Sequence, residues 1–459
     1  MDAMDLSARE LASLIRRKQL SPVEAVRCAL ERIEARPELN AFITVIAEQA
    51  MAAARKAEAD VVAGAELGPL HGVPYSAKDL ISTAGIRTTM GSAIYADFVP
   101  KEDAVSISRA KAAGAILIGK TTTPEFGHKP VATAPLFGRT LNPVNALFTP
   151  GASSSGAACA VAAGLGPIAL GTDGGGSIRI PASCCGIVGL KPTLGVVPHL
   201  QVPDAFSVNS FVGPMARDVA DTSILFNAIR GPDRRDPYGQ GSPSFGRTTP
   251  LSLSGLRVAW LLSAGNRVDS EVEAITTAAV RIMEQQGAIV EPVTLDFVSL
   301  ERHFLVILQS ALAARIGPHL ERFGNRLDPT LVDLVEKGMQ HTAVALQESG
   351  FAKSRCFNDL QTLFNHHDVL VSPTLSAPPL AADVDVSGVI YIGGKPAGSV
   401  RGAWYPYTYP MNLTGHPALS MPCGKSALGL PIGIQLAGRW HDDNYLLGIA
   451  ALLEAHLGE

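Results

Sequence analysis

The sequence predicts an α/β fold with a largely covered sheet, on two observations. Apolar strand signals alternate with amphipathic helical patterns along most of the chain. The 459 residues are 47% hydrophobic and 17% charged, against about 25% charged in an average soluble domain. That balance favours one thick, well-buried body over several small ones.

The elements follow in order. Ser7 with Glu10 forms a capping-box signature, and Leu11, Leu14 and Ile15 give the helix behind it an apolar face. Ser21, Pro22 and Glu24 repeat the start signal ahead of Val26, Leu30 and Ile33. A third helical pattern covers residues 47–63. The segment 68–80, GPLHGVPYSAKDL, brackets a short strand with glycine and proline and delivers Lys78 and Asp79. His71 reads as a structural histidine at the turn. A helix around 103–113 precedes GAILIGKTT, which matches the phosphate-loop spacing through Gly119, Lys120 and Thr121. The match fails physically: residues 115–118 are an apolar strand, whose N–H groups would be consumed in a sheet rather than offered to phosphate. No dinucleotide-binding glycine pattern occurs.

Two serine-bearing glycine turns dominate the next stretch, TPGASSSGAACAVAAGLGPIALGTDGGGSIRIPASCCGIVGLKPT, residues 149–193. Glycine serves where a backbone must turn sharply or approach a ligand closely. The spacing between Ser153 and Ser177 leaves room for turn, helix, strand and turn to bring two hydroxyls toward one point. Residues 230–250, rich in Arg, Asp, Gly, Ser and Pro, read as a surface linker. Beyond it come a strand at 256–262, a helix at 270–286, a strand at 288–295, mostly helix over 298–365, and a strand at 368–372. A turn-rich stretch follows with Trp404, Tyr405, Tyr407 and Tyr409, then a strand at 430–438 and a final helix from Asn444.

Composition also narrows function. A net charge of −4 gives no basic footprint for nucleic acid. The six cysteines, at 28, 159, 184, 185, 356 and 423, form no C-x-x-C pair. They read as buried thiols of a reducing cytoplasm rather than a metal site or a catalytic thiol. The N-terminus lacks the pattern of a signal peptide, and no uncharged run is long enough for a membrane helix. The expected location is cytoplasmic.

A serine attacks only when something takes its proton. The G-x-S-x-G elbow that accompanies histidine-assisted serines is absent, so a histidine-based triad has no local support. The other available base is a lysine. At a pKa of about 10.4 its amine is almost wholly protonated at pH 7, and a shift of about three units costs about 4 kcal/mol, which burial can supply. Lys78, at the end of an apolar strand, is a credible base only if buried.

Taken together, these residues resemble the amidase signature hydrolases. GVPYSAKD, GASSSG and GTDGGGSIRIPASCCGIVGLKPT stand in that family's order, and NLTGHPALSMP matches its C-terminal marker. The resemblance implies a single large domain with a mixed, mostly covered central β-sheet flanked by helices. It divides into N-terminal helices (1–67), a signature core (68–230), a surface linker (231–252) and a second α/β part completing sheet and pocket (253–459). It also implies roles. Lys78 is the general base, Ser153 the bridging serine after a cis peptide bond, and Ser177 the acyl-accepting nucleophile. The main-chain N–H groups of Gly174, Gly175, Gly176 and Ser177 form the oxyanion hole, and Ser154, Asp173 and Arg179 brace the two turns. Ala152 and Ser155 depart from the commoner glycines of the pattern without removing a reacting group.

The implied activity is hydrolysis of the C–N bond of a small or medium carboxamide, with carbamates, anilides or esters as further candidates, and with no cofactor or metal. The implied partner is the small-molecule amide, not nucleic acid or membrane; a homodimer stays open. The alternative is the glutaminase subunit of a tRNA-dependent amidotransferase, which would need partner subunits. Residues 298–350 and 404–409 are expected to line the pocket or pack the core.

Overall fold

The computed structural model describes residues 2–206, 209–239, 247 and 249–458. Strands β1 (Phe42–Val45), β2 (Pro74–Lys78) and β3 (Ile116–Thr121) come first. The hairpin β4 (Thr133–Ala134) and β5 (Gly138–Arg139) stands apart from the main sheet. β6 (Ile168–Asp173), β7 (Val188–Lys191), β8 (Phe211–Ala216), β9 (Arg257–Trp260), β10 (Ile289–Pro292) and β11 (Val369–Pro373) follow. A second hairpin, β12 (Ile390–Ile392) and β13 (Lys395–Gly398), precedes β14 (Ala418–Lys425) and β15 (Pro431–Ala437).

Among the described residues, eleven of these strands form one mixed sheet in the order β1-β3-β2-β6-β8-β7-β14-β15-β11-β9-β10. β2 runs parallel to β3 and β6, and β9 parallel to β10 and β11. Between these parallel groups the pairings from β6 through β15 to β11 are antiparallel. Strands from both halves of the chain thus share one sheet, joined where Leu419 of β14 pairs with Leu190 of β7.

Helices cover both faces, which explains the near-continuous apolar runs of the strands. On one face Leu11, Val26, Ile107, Leu225, Val280 and Leu453 pack on Tyr75, Leu170, Leu190, Leu419 and Leu436. On the other, Ala157, Val161, Ile178 and Ala182 lie on Ala169 and Met215, while Leu360, Phe364 and Met411 lie on Ala259, Leu370 and Ala418. Residues 169 and 370 belong to one face and their sequence neighbours to the other, the period-2 alternation of a strand.

The helix starts obey the expected local chemistry. Ser7 Oγ accepts from Glu10 N at 3.2 Å and Glu10 Oε2 accepts from Ser7 N at 2.8 Å. Ser21 Oγ accepts from Val23 N at 3.0 Å, with Pro22 opening the helix. The expected helix at 47–63 is present and ends on left-handed Gly64. Three central strands, β7, β8 and β14, carry no sequence expectation. FVGPMA (β8) holds Gly213 and Pro214, residues that argue against an interior strand. Gly213 is needed there: a Cβ would lie 2.0 Å from Leu190 O on the neighbouring strand. β14 likewise begins behind the His416-Pro417 turn. The linker expected at 231–252 lies partly outside the described residues. Within it Arg247 donates to Asp442 and Asp368 and stacks 3.6 Å from the Tyr445 ring. No described helix is long and apolar enough to cross a membrane.

The first helix is tied to the body by buried Asp221, which accepts from Ala8 N at 2.6 Å and Arg9 N at 3.1 Å. Asp221→Ala would strand those donors and is expected to destabilise by about 2 kcal/mol, read as a lower urea midpoint with unchanged slope.

Candidate active site

The parallel strands β2 and β6 end side by side and carry Lys78 and Asp173 at their C-terminal ends. The first serine turn leads into the helix Ser155–Ala162 and the second into the helix Arg179–Cys185. A hydrogen bond from Ser154 N to Ser177 O, 3.0 Å, joins the two turns. The Ala152–Ser153 peptide bond is cis.

Lys78 is fully buried. Its Nζ lies 2.7 Å from Ser153 Oγ, 3.0 Å from Ser154 Oγ and 3.3 Å from Thr172 O. Ser154 Oγ in turn donates to Thr172 O at 3.0 Å and accepts from Thr172 N at 3.2 Å. No carboxylate among the described residues bonds the amine. Burial pushes the Lys78 pKa well below the ordinary lysine value, against a smaller opposing pull from Asp173. Ser177 is half-buried, and its hydroxyl has no hydrogen-bond partner among the described residues. Lys78 and Ser153 are therefore directly bonded, while Ser177 joins them through the backbone contact to Ser154.

The second turn is built around a buried ion pair. Arg179 Nε donates to Asp173 Oδ2 and its NH2 to Oδ1, both at 3.0 Å. Burial alone would raise the Asp173 pKa, but the guanidinium, Asn412 and Ile178 N–H hold it below the usual carboxylate range. Arg179 also donates to Thr408 O and Gln435 Oε1 at 2.8 Å and to Asn412 Oδ1 at 2.7 Å. Ser154 bonds Lys78 and Thr172, and Asp173 and Arg179 bond each other. The expectation for Gly176 needs correction. Its N–H donates to Asp173 Oδ1 at 2.6 Å and is not free to meet a ligand, because the carboxylate at the end of β6 caps the turn from within. The N–H groups of Gly174, Gly175 and Ser177 have no acceptor among the described residues.

Three neighbours carried no sequence signal of their own. Phe304 lies over the turn: a Cβ on Gly175 would meet its Cζ at 2.7 Å. Thr408 Oγ1 donates to Gly175 O at 2.7 Å. Gly127 approaches the other serine so closely that a Cβ there would meet Ser153 Oγ at 2.7 Å. Both pocket segments expected from sequence, 298–350 and 404–409, thus reach the turn, through Phe304 and Thr408. Tyr407 and Tyr409 are core residues, their hydroxyls donating to Leu262 O and Phe297 O. A cleft of about 500 Å³, lined by Asp296, Arg302, His303, Arg355 and Cys356 among others, takes residues from the 298–350 segment but includes none of Lys78, Ser153 and Ser177.

His71 is structural, its Nε2 lying 2.9 Å from Ala57 O. Lys120 sits inside β3 with Nζ donating to Ile81 O and Thr88 Oγ1, as a strand rather than a phosphate loop requires. All six cysteines are free.

A sequence model of the family described as Amidase matches residues 24–447. An acylamidase of Rhodococcus erythropolis is 34% identical, the match covering 98% of this chain and 95% of that protein. A glutamyl-tRNA(Gln) amidotransferase component from Symbiobacterium thermophilum is 37% identical over 97% of this chain and 95% of its own length. Among solved structures, a bacterial aryl acylamidase of the amidase signature enzymes superposes with a TM-score of 0.90 at 27% identity, covering 98% of this chain and 96% of that one. A 6-aminohexanoate cyclic dimer hydrolase superposes at 0.86 with 29% identity, covering 100% and 98%. With the signature motifs folded into paired turns on a single mixed sheet and matches of this extent, the chain belongs to the amidase signature family of hydrolases acting on carbon–nitrogen bonds.

Proposed function

We propose that this enzyme cleaves small or medium carboxamides, anilides included, through an acyl intermediate on Ser177. The observation that carries the reading is the 2.7 Å contact between a fully buried, carboxylate-free Lys78 amine and Ser153 Oγ. A neutral amine has two N–H groups and one lone pair. Thr172 O and Ser154 Oγ can take the two hydrogens, which leaves the lone pair for the Ser153 hydroxyl. The protonated form can give its third hydrogen to the same Ser153 oxygen. The lysine can therefore gain and lose a proton without rearranging its partners.

Ser177 Oγ attacks the carbonyl carbon, its proton passes to Ser153 Oγ, and the Ser153 proton passes to Lys78 Nζ. The N–H groups of Gly174, Gly175 and Ser177 stabilise the developing oxyanion. The proton returns by the same path to the nitrogen as the C–N bond breaks, and water repeats the sequence to release the acid. Phe304, stacked on Tyr409 with centroids 5.1 Å apart, gives the acyl side an apolar wall. That wall and the acylamidase relative support acyl or aryl amides as the substrate class. The amidotransferase relatives support a second reading, glutamine hydrolysis within a multi-subunit assembly.

The purified chain is expected to release equimolar amine and acid from an anilide panel without companion subunits. Activity on glutamine alone, and only with added partners, would favour the second reading. Ser177→Ala should lower turnover by at least about a thousandfold, and persistence of hydrolysis in that variant would sink the acyl–serine reading.

The depressed pKa of Lys78 has a consequence for stability. Between that value and the unfolded value of about 10.4, the unfolded chain binds the extra proton, so this group makes stability rise with pH across the window. Lys78→Met should therefore melt higher than the parent at pH 7, with the gain shrinking toward pH 10, while activity is lost.

A further inference from the structure

We infer that Thr408 is a positioning residue for the N–H groups that receive the oxyanion, acting as one jaw of a clamp on the Gly175–Gly176 peptide. The inference rests on the acyl–serine reading above. The peptide is held at both ends. Its N–H, from Gly176, donates to Asp173 Oδ1 at 2.6 Å, and its carbonyl, from Gly175, accepts from Thr408 Oγ1 at 2.7 Å. The unengaged N–H groups of Gly175 and Ser177 belong to the peptide units on either side of it. With the central unit fixed, the directions of both neighbours follow, and Gly176 at φ +124° supplies the backbone conformation that the arrangement needs.

The two jaws share one support. Arg179 grips Asp173 through two hydrogen bonds and donates to the main-chain oxygen of Thr408 at 2.8 Å. Carboxylate and hydroxyl are thereby referenced to the same buried guanidinium. The fit is close: a Cβ at Gly176 would lie 2.4 Å from Thr408 Oγ1. The hydroxyl also lies 3.0 Å from Tyr405 O, the shorter contact being the one to Gly175. Thr408 itself needs no contact with substrate. Without its hydroxyl the Gly175 carbonyl is unpaired and can rotate toward the acyl site, where its negative end would oppose the oxyanion.

The test compares Thr408→Val, which keeps the shape and removes the donor, with Thr408→Ser, which keeps the donor. Both are assayed on an anilide cleaved by the parent, with thermal melts and a Ser177→Ala control. The valine variant is expected to lose about 10- to 100-fold in kcat, below the loss from deleting an oxyanion donor outright. Its KM should stay within about threefold and its melting temperature near the parent's, and the serine variant should recover most of the rate. A ground-state packing role would instead raise KM or lower the melting temperature with kcat kept. If the valine variant does not fold, Thr408→Ala takes its place with the same expected split. Parental kcat in a folded donor-less variant, or a serine variant as slow as the valine one, overturns the clamp. Residual full activity in Ser177→Ala would instead overturn the acyl–serine reading beneath it.

Discussion

An ammonium group removed from water with no carboxylate against it is among the costlier arrangements a fold can hold. Lys78, surrounded by two hydroxyls and one carbonyl rather than an anion, is spared that cost in its neutral form, which its burial favours. A directly bonded acid would favour the charged form and oppose the base role proposed for it. The buried Asp173–Arg179 ion pair is internally neutral and bonds the N–H groups of Gly176 and Ile178 in the second turn. The surrounding sheet, with β2 and β6 buried along their whole length, keeps water from restoring the ordinary lysine state.

That second ion pair has a different task. Breaking a buried pair is expensive because the remaining charge has nowhere to go. Arg179 spreads its donors over Asp173, Thr408, Asn412 and Gln435, so that every acceptor lies inside the protein. The glycine turn is thereby anchored to the C-terminal half of the chain, while the N–H groups of Gly174, Gly175 and Ser177 are left without an acceptor among the described residues.

Much of this was legible in the residues. The capping box at Ser7, the Pro22 helix start and the strand nature of GAILIG follow from local rules, and the turns carrying Ser153 and Ser177 announce themselves by glycine. Burial of Lys78 could be argued from its apolar strand. What stayed hidden depends on distance along the chain. Thr408 and Gln435 meet Arg179 across separations of 229 and 256 residues, and although the 404–409 stretch and the 430–438 strand were both legible, nothing local pairs either residue with Arg179. The engagement of Gly176 by Asp173 is local, yet it needs the direction of one peptide plane, which spacing does not give. β8 escaped because Gly213 and Pro214 look like turn residues, and only the adjoining Leu190 carbonyl explains the glycine.

The pairing of β7 with β14 carries a consequence for biosynthesis. A nascent chain emerging from the ribosome presents Lys78 and both serines long before residues 408–435 exist. Until then Arg179 lacks three of its acceptors, and β7 lacks its neighbour on one edge. The turn carrying Ser177 therefore lacks these anchors during early synthesis and gains them only when the C-terminal part of the sheet is in place.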